Sequence, residues 1–144
     1  MSTNAPQLPS FDDIAFTMDA LPDMDERFQF LIDLGRKLPA LSPEKKTEEN
    51  RVHGCQSTVW IDSSLAGEAM EFEGESDSMI VSGLIAILLS LYNGRRPAEV
   101  TAIDPHGEMG KLHLEHHLSP SRRNGLARMI ERIQADATSA SGGE

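Results

Sequence analysis

The sequence predicts an α+β fold in which a small antiparallel sheet of about three strands packs against helices. Three observations carry that expectation: two short runs of alternating polarity joined by a hairpin-length loop, a long segment directly after them that is apolar on nearly every side, and amphipathic helical stretches at both ends. The first confident helix spans about residues 24–38. Asp23 and Glu26 offer an Asp-x-x-Glu capping box, Phe28, Leu31, Ile32, Gly35 and Leu38 recur at helical spacing, and Pro39 stops the run. A shorter helix precedes it around Phe11–Leu21. In 58–62, Val59 and Ile61 share a strand face; in 69–73, Met70 and Phe72 point one way and Glu71 and Glu73 the other, with Gly67 in the connecting loop. Arg51 and Val52 supply a third, short strand.

Met79 to Tyr92 is hydrophobic on nearly all sides, which predicts a buried central helix lying against the sheet. Ser76 or Asp77 suits its N-cap and Asn93-Gly94 its stop. Pro97 opens a short helix through Ala102. Ser119-Pro120 is an N-cap followed by a proline at the first helical position, and Leu126, Met129, Ile130 and Ile133 form one face of the closing helix. Residues 1–10 and 136–144 are small and polar and read as flexible tails, leaving a single domain over 11–135.

The 144 residues hold 13 Lys and Arg against 23 Asp and Glu, a formal charge of −10. That balance disfavours sequence-independent nucleic-acid binding, which needs cations to neutralise phosphates, and adhesion to an anionic membrane surface. The longest uncharged span, Ser78 to Gly94, is shorter than the ~20 residues of a membrane-crossing helix. No basic residue precedes Arg27 and no apolar run follows Met1, so no secretory signal is expected and a reducing cytoplasm is the expected setting. The single cysteine excludes an internal disulfide, a four-cysteine zinc site and a cluster held by several thiolates of this chain.

That cysteine, Cys55, sits in Arg51-Val52-His53-Gly54-Cys55-Gln56-Ser57. A free cysteine is often a small buried hydrophobe. Here Gly, Gln and Ser beside it read as a turn, which would present the thiol at a loop tip, and Gly54 permits a positive φ or a close approach. Three thiol chemistries are open. A Cys-His hydrolase needs an oriented base, for which His53, His106, His113, His116 and His117 are candidates. A disulfide oxidoreductase needs a second cysteine, which is absent. Persulfide exchange needs one accessible thiolate and a partner, and suits a single cysteine. His113-x-x-His116-His117 has helical spacing that could ligate a metal with Cys55, but no companion pattern completes a site, and a surface turn is the simpler expectation. Trp60 and the methionines read as core filler, and Glu71, Glu73 and Glu75 as a solvated strand face. Arg122, Arg123, Arg128 and Arg132 read as helix surface, although arginines near a helix N-terminus oppose the dipole and hint at a carboxylate partner for one of them.

Val52 to Trp60 (VHGCQSTVW) resembles the signature around the acceptor cysteine of the SufE family, the sulfur-acceptor partners of cysteine desulfurases. Glu75 to Leu84 is similar to that family's entry into its central helix, and His117 to Leu126 to its entry into the last helix; the likeness runs over about residues 10–135 in matching order and spacing. Glu75 stands where the family often has Asp, and Ser82 where a Lys is common. The resemblance implies a fold similar to that of the U-type iron–sulfur scaffold proteins and a Cys55 that accepts sulfur as a persulfide. It implies two partners, a pyridoxal-phosphate-dependent cysteine desulfurase whose turnover is enhanced and an iron–sulfur cluster scaffold, with no cofactor or metal in this chain. His53, Gly54, Gln56, Asp77 and Arg122 fall at positions implied to contact the partner or place the loop. The contrasting expectation is an adaptor that binds protein and whose cysteine is structural.

Overall fold

A computed structural model describes residues 8–141, and the expected tail over 1–10 lies largely outside them, as do residues 142–144. Among the described residues, six α-helices and one hairpin follow in the order α1 (Phe11–Ala20), α2 (Met24–Arg36), β1 (Val59–Ala66), β2 (Ala69–Ser76), α3 (Met79–Tyr92), α4 (Pro97–Ala102), α5 (Pro105–Gly110) and α6 (Pro120–Ala140). Asp23 caps α2 by accepting the Glu26 N–H at 2.9 Å. Ser119 caps α6 in the same way through the Arg122 N–H.

The sheet has two strands, in register from Val59 opposite Ser76 to Ala66 opposite Ala69. The expected third strand is reduced to a single bridge between Arg51 and Trp60. The chain touches the β1 edge only through Val52 N–H to the Val59 carbonyl (2.9 Å) and Ile61 N–H to the Asn50 carbonyl (2.8 Å), because it then turns away into the cysteine loop. The β2 edge is closed by the segment after α3, where Asn93 exchanges side-chain hydrogen bonds with Phe72 and the backbone of residues 94 and 95 bonds Met70.

α3 is the core of the molecule, with ten of its fourteen residues buried. It lies against β2 on one side and crosses α2 on the other. The crossing is close because two glycines meet there: a methyl group on Gly35 would stand 2.8 Å from the Gly83 nitrogen, and one on Gly83 would stand 2.8 Å from Leu31 Cδ1 and closer still to the Leu31 carbonyl. Leu31 and Leu34 are the buried residues of α2, whereas Ile32 is only partly covered. The N-cap of α3 is Ser78, which accepts the Val81 N–H, and not Ser76 or Asp77. Asp77 is engaged elsewhere, accepting the Thr58 N–H at 3.2 Å.

α6 continues past the point where the sequence reads as a tail. Ala137 is fully buried and extends the face of Ile130 and Ile133, so packing sustains a polar, small-residue stretch as helix to Ala140. The outer sheet face is partly roofed by residues 41–51: Lys46 lies over the Trp60 ring and pairs with Glu75 at 2.9 Å, and Lys45 pairs with Glu73. Trp60 therefore stands on the outer face under two cations instead of in the core, and of the three glutamates only Glu71 keeps the simple solvated role. Among the described residues, no helix is long and apolar enough to cross a membrane.

Candidate functional site

Cys55 lies in a turn between Val52, which is buried against the sheet edge, and Val59, which begins β1. The loop is anchored at both ends by the sheet and at its tip by α6. Gly54 adopts a φ of +90°, a conformation that a side chain would strain. It has a second reason to be glycine, because an added methyl would meet the Arg128 side chain at 3.1 Å.

Three polar contacts fasten the tip. Asn124 donates its side-chain amide to the Gly54 carbonyl at 2.9 Å, Ser121 donates its hydroxyl to Gln56 Oε1 at 2.8 Å, and the Cys55 thiol points at the Gly125 carbonyl at 3.8 Å. Residues 121, 124, 125 and 128 are spaced i, i+3, i+4 and i+7, so they form one stripe along α6. Gly125 gives the sulfur its seat: an added methyl there would contact Sγ at 3.5 Å.

Beside the thiol is a cleft of about 160 Å³ between the loop, α3 and α6. Gln56, Ser121 and Arg122 form its polar wall, and Leu84, Leu126 and Met129 its apolar wall. Burial pushes the Cys55 thiol above its ordinary value, and the positive charges of Arg128 and then Arg51 act against that rise.

The structure brings Cys55, Gln56 and Arg122 together around the cleft, while Gly54 lies outside its lining, next to the thiol in the loop. Asp77 is apart from it but holds the loop's exit, accepting from Thr58. His53 pairs with Glu48 (Nε2 to Oε2, 2.7 Å), is exposed and does not line the cleft. None of the five histidines lines it, so the oriented base of a Cys-His hydrolase is missing from the thiol's surroundings. His113 sits at φ 58° in a turn with Nε2 3.0 Å from Asp19, and the helical spacing of the His113, His116 and His117 group is not realised. Among the described residues, no group of three or more His, Cys, Asp or Glu side chains could hold a metal ion.

Sequence reasoning missed Ser121, Asn124, Gly125 and Arg128. The available signal was their helical spacing directly after the Ser119-Pro120 start, a polar and small stripe beside the apolar one. Nor is the arginine series uniformly surface. Arg132 is largely covered and bonds Asp136 (2.9 Å), the Ile61 carbonyl and Asn50, while Arg123 donates to the Leu118 carbonyl and not to a carboxylate.

Residues 12–137 match the family model of SufE, described as an Fe-S metabolism associated domain. An uncharacterized SufE-like protein of Rhizobium meliloti (strain 1021) is 43% identical over 130 residues, spanning 88% of this chain and 90% of that protein. One from Rhizobium etli is 40% identical over 134 residues, covering 90% of each. The solution structure of a hypothetical protein from Thermus thermophilus aligns with a TM-score of 0.75 at 25% identity, over 94% of this chain and 97% of that one.

Proposed function

Because the chain belongs to the SufE family, we propose that Cys55 accepts sulfane sulfur from a pyridoxal-phosphate-dependent cysteine desulfurase and passes it to a scaffold on which iron–sulfur clusters are assembled. The observation that carries this reading is the seating of the only cysteine at a loop tip, held to α6 by side chains and opening onto a small cleft.

The exchange needs nothing beyond two thiols. The Cys55 thiolate attacks the outer sulfur of the desulfurase persulfide, a new S–S bond forms to Cys55, the old S–S bond breaks, and the desulfurase thiolate leaves with the bonding electron pair. No net oxidation occurs. Delivery to the scaffold repeats the step with this chain as donor. Removing the persulfide from the desulfurase frees its cysteine for another turnover, which is how an acceptor raises that enzyme's rate. A reducing cytoplasm suits the chemistry, since a lone thiol there stays free.

The burial that raises the thiol's pKa implies that the resting protein is a poor nucleophile. Docking of the desulfurase would then have to draw the loop tip away from α6, and the three polar contacts are weak enough singly for that. Asp77 and Arg122 act in this reading as loop-exit and cleft-wall residues, while His53 lies on the exposed side of the loop, where a partner would meet it.

Incubation with a desulfurase and L-cysteine, followed by intact mass measurement, should show a gain of one sulfur atom that is absent in Cys55→Ser, together with faster sulfide release. An unchanged mass and unchanged release would overturn the proposal and favour the adaptor with a structural cysteine.

A further inference from the structure

Arg128 comes from the fourth position of the α6 stripe that grips the cysteine loop. Its Cδ and Nε lie over Gly54, 3.1 Å from where a methyl on that glycine would stand, one residue before the thiol. The thiol itself rests one helical turn earlier on the same stripe, at Gly125. On the sheet side, Arg51 is bridged to Trp60, its guanidinium stands 6.0 Å over the indole, and its Nε is buried with no hydrogen-bond partner among the described residues. The residue before the lone cysteine is thus covered by the Arg128 side chain, and Arg51 enters the loop four residues before the thiol.

Resting on the sulfur-acceptor reading above, we propose that Arg128 is a positioning residue that favours negative charge on the Cys55 sulfur while the loop is seated on α6, on the thiolate before docking and on the terminal sulfur of the persulfide once the loop has returned. An arginine is suited to this because its charge persists at every physiological pH and its Nη and Nε donors are spread over a plane. Only one Nη of Arg128 is committed, to Glu131 Oε1 at 2.8 Å. Both guanidiniums act on the thiol in the sense required, against the burial effect.

The charged and titratable groups around the sulfur can be named by element. α6 contributes Arg122, Arg128 and, behind it, Glu131; the loop entrance contributes Arg51 and the Glu48-paired His53; the loop exit contributes Asp77. The α3 side of the cleft is apolar, through Val81 and Leu84. The charges that act appreciably on the thiol are both cations, Arg128 and then Arg51, in a chain whose overall charge is −10.

The test is the rate of Cys55 alkylation by iodoacetamide, a neutral reagent, as a function of pH in the free full-length protein. Arg128→Met keeps the stem over Gly54 and removes the charge; its profile should move to higher pH and its rate at neutral pH fall by about threefold, the Coulomb effect of one charge several ångströms away in a water-like dielectric. Arg51→Met should move the profile the same way by less, and Arg128→Lys should restore most of it. Glu131→Gln should shift the profile in the opposite direction, which a purely structural contact would not do. Raising the salt to about 1 M shortens the Debye length to ~3 Å, so the wild-type profile should approach that of Arg128→Met while the variant barely moves.

Coincident profiles for wild type, Arg128→Met and Glu131→Gln at low salt would overturn the inference even if sulfur uptake from the desulfurase is normal. Charge-dependent alkylation without any sulfur uptake would instead remove the acceptor function and leave the electrostatic effect on the thiol standing.

Discussion

The side-chain amide of Asn124 donates to the carbonyl oxygen of Gly54 at 2.9 Å, so the last helix grips the peptide group immediately before the thiol. With the Ser121 to Gln56 bond it forms a two-point latch across the loop. Both bonds are solvent-exposed, and a net hydrogen bond in such a place contributes about 0.5–1.5 kcal/mol. Asn124→Ala should therefore raise the open fraction of the loop, and the alkylation rate of Cys55 with it, by roughly 2-fold to 10-fold. The double variant with Ser121→Ala should be faster again. An unchanged rate in both would show that the loop does not depend on this latch.

Gly125 is the floor beneath the sulfur. An added methyl would meet Sγ at 3.5 Å, an ordinary contact, so Gly125→Ala should leave the seat usable and gain helix propensity of about 1 kcal/mol. Gly125→Leu is too large for the same space and should expel the thiol from its seat. Thiol labelling should be fast in the Leu variant and near wild type in the Ala variant, with circular dichroism confirming that both keep the helix.

Gly83 presents the opposite case. Helix propensity alone favours alanine by about 1 kcal/mol, but the methyl would press into Leu31 of the crossing helix, 2.8 Å from Cδ1 and tighter against a backbone oxygen that cannot swing aside. Overpacking of this kind costs about 1–3 kcal/mol or more, so the clash wins. Urea unfolding should show a lower midpoint for Gly83→Ala, with an unchanged slope if the crossing merely loosens.

Glu75 makes stability depend on acid. Its carboxylate accepts from Lys46 at 2.9 Å and from the Leu41 N–H at 2.8 Å, and the Lys46 bond, the larger effect, holds its pKa below the ordinary 4.5 despite partial burial. A carboxyl whose folded value is depressed stabilises the fold above the unfolded value, and the benefit disappears as pH falls through the folded one. Glu75→Gln should thus be less stable than wild type near neutral pH, and in thermal melts the gap should begin to close only as pH falls below the ordinary 4.5 and vanish below the depressed folded value. A gap that stays constant down to strong acid would remove the ionised carboxylate from the explanation.

Much of this architecture was legible along the chain because it is local. Caps at Asp23 and Ser119, the stop at Asn93-Gly94 and the alternation around Val59 and Met70 depend on neighbours within a few residues, and the structure places helices and strands close to where those signals fall. The turn that carries the lone cysteine was legible too, from Gly54, Gln56 and Ser57 beside it. The third strand and the C-terminal tail were misjudged for a common reason. A strand exists only if a partner edge continues beside it, and residues 138–140 are helical only because Ala137 and the turns before it are packed.

Sequence by itself determined that a single thiol sits in a turn between strand-forming segments of an acidic α+β domain. Only the tertiary structure decided what surrounds that thiol. The stripe of Ser121, Asn124, Gly125 and Arg128 lies about 70 residues away from it along the chain, and hydrogen bonds and electrostatic fields act over ångströms of space irrespective of sequence separation.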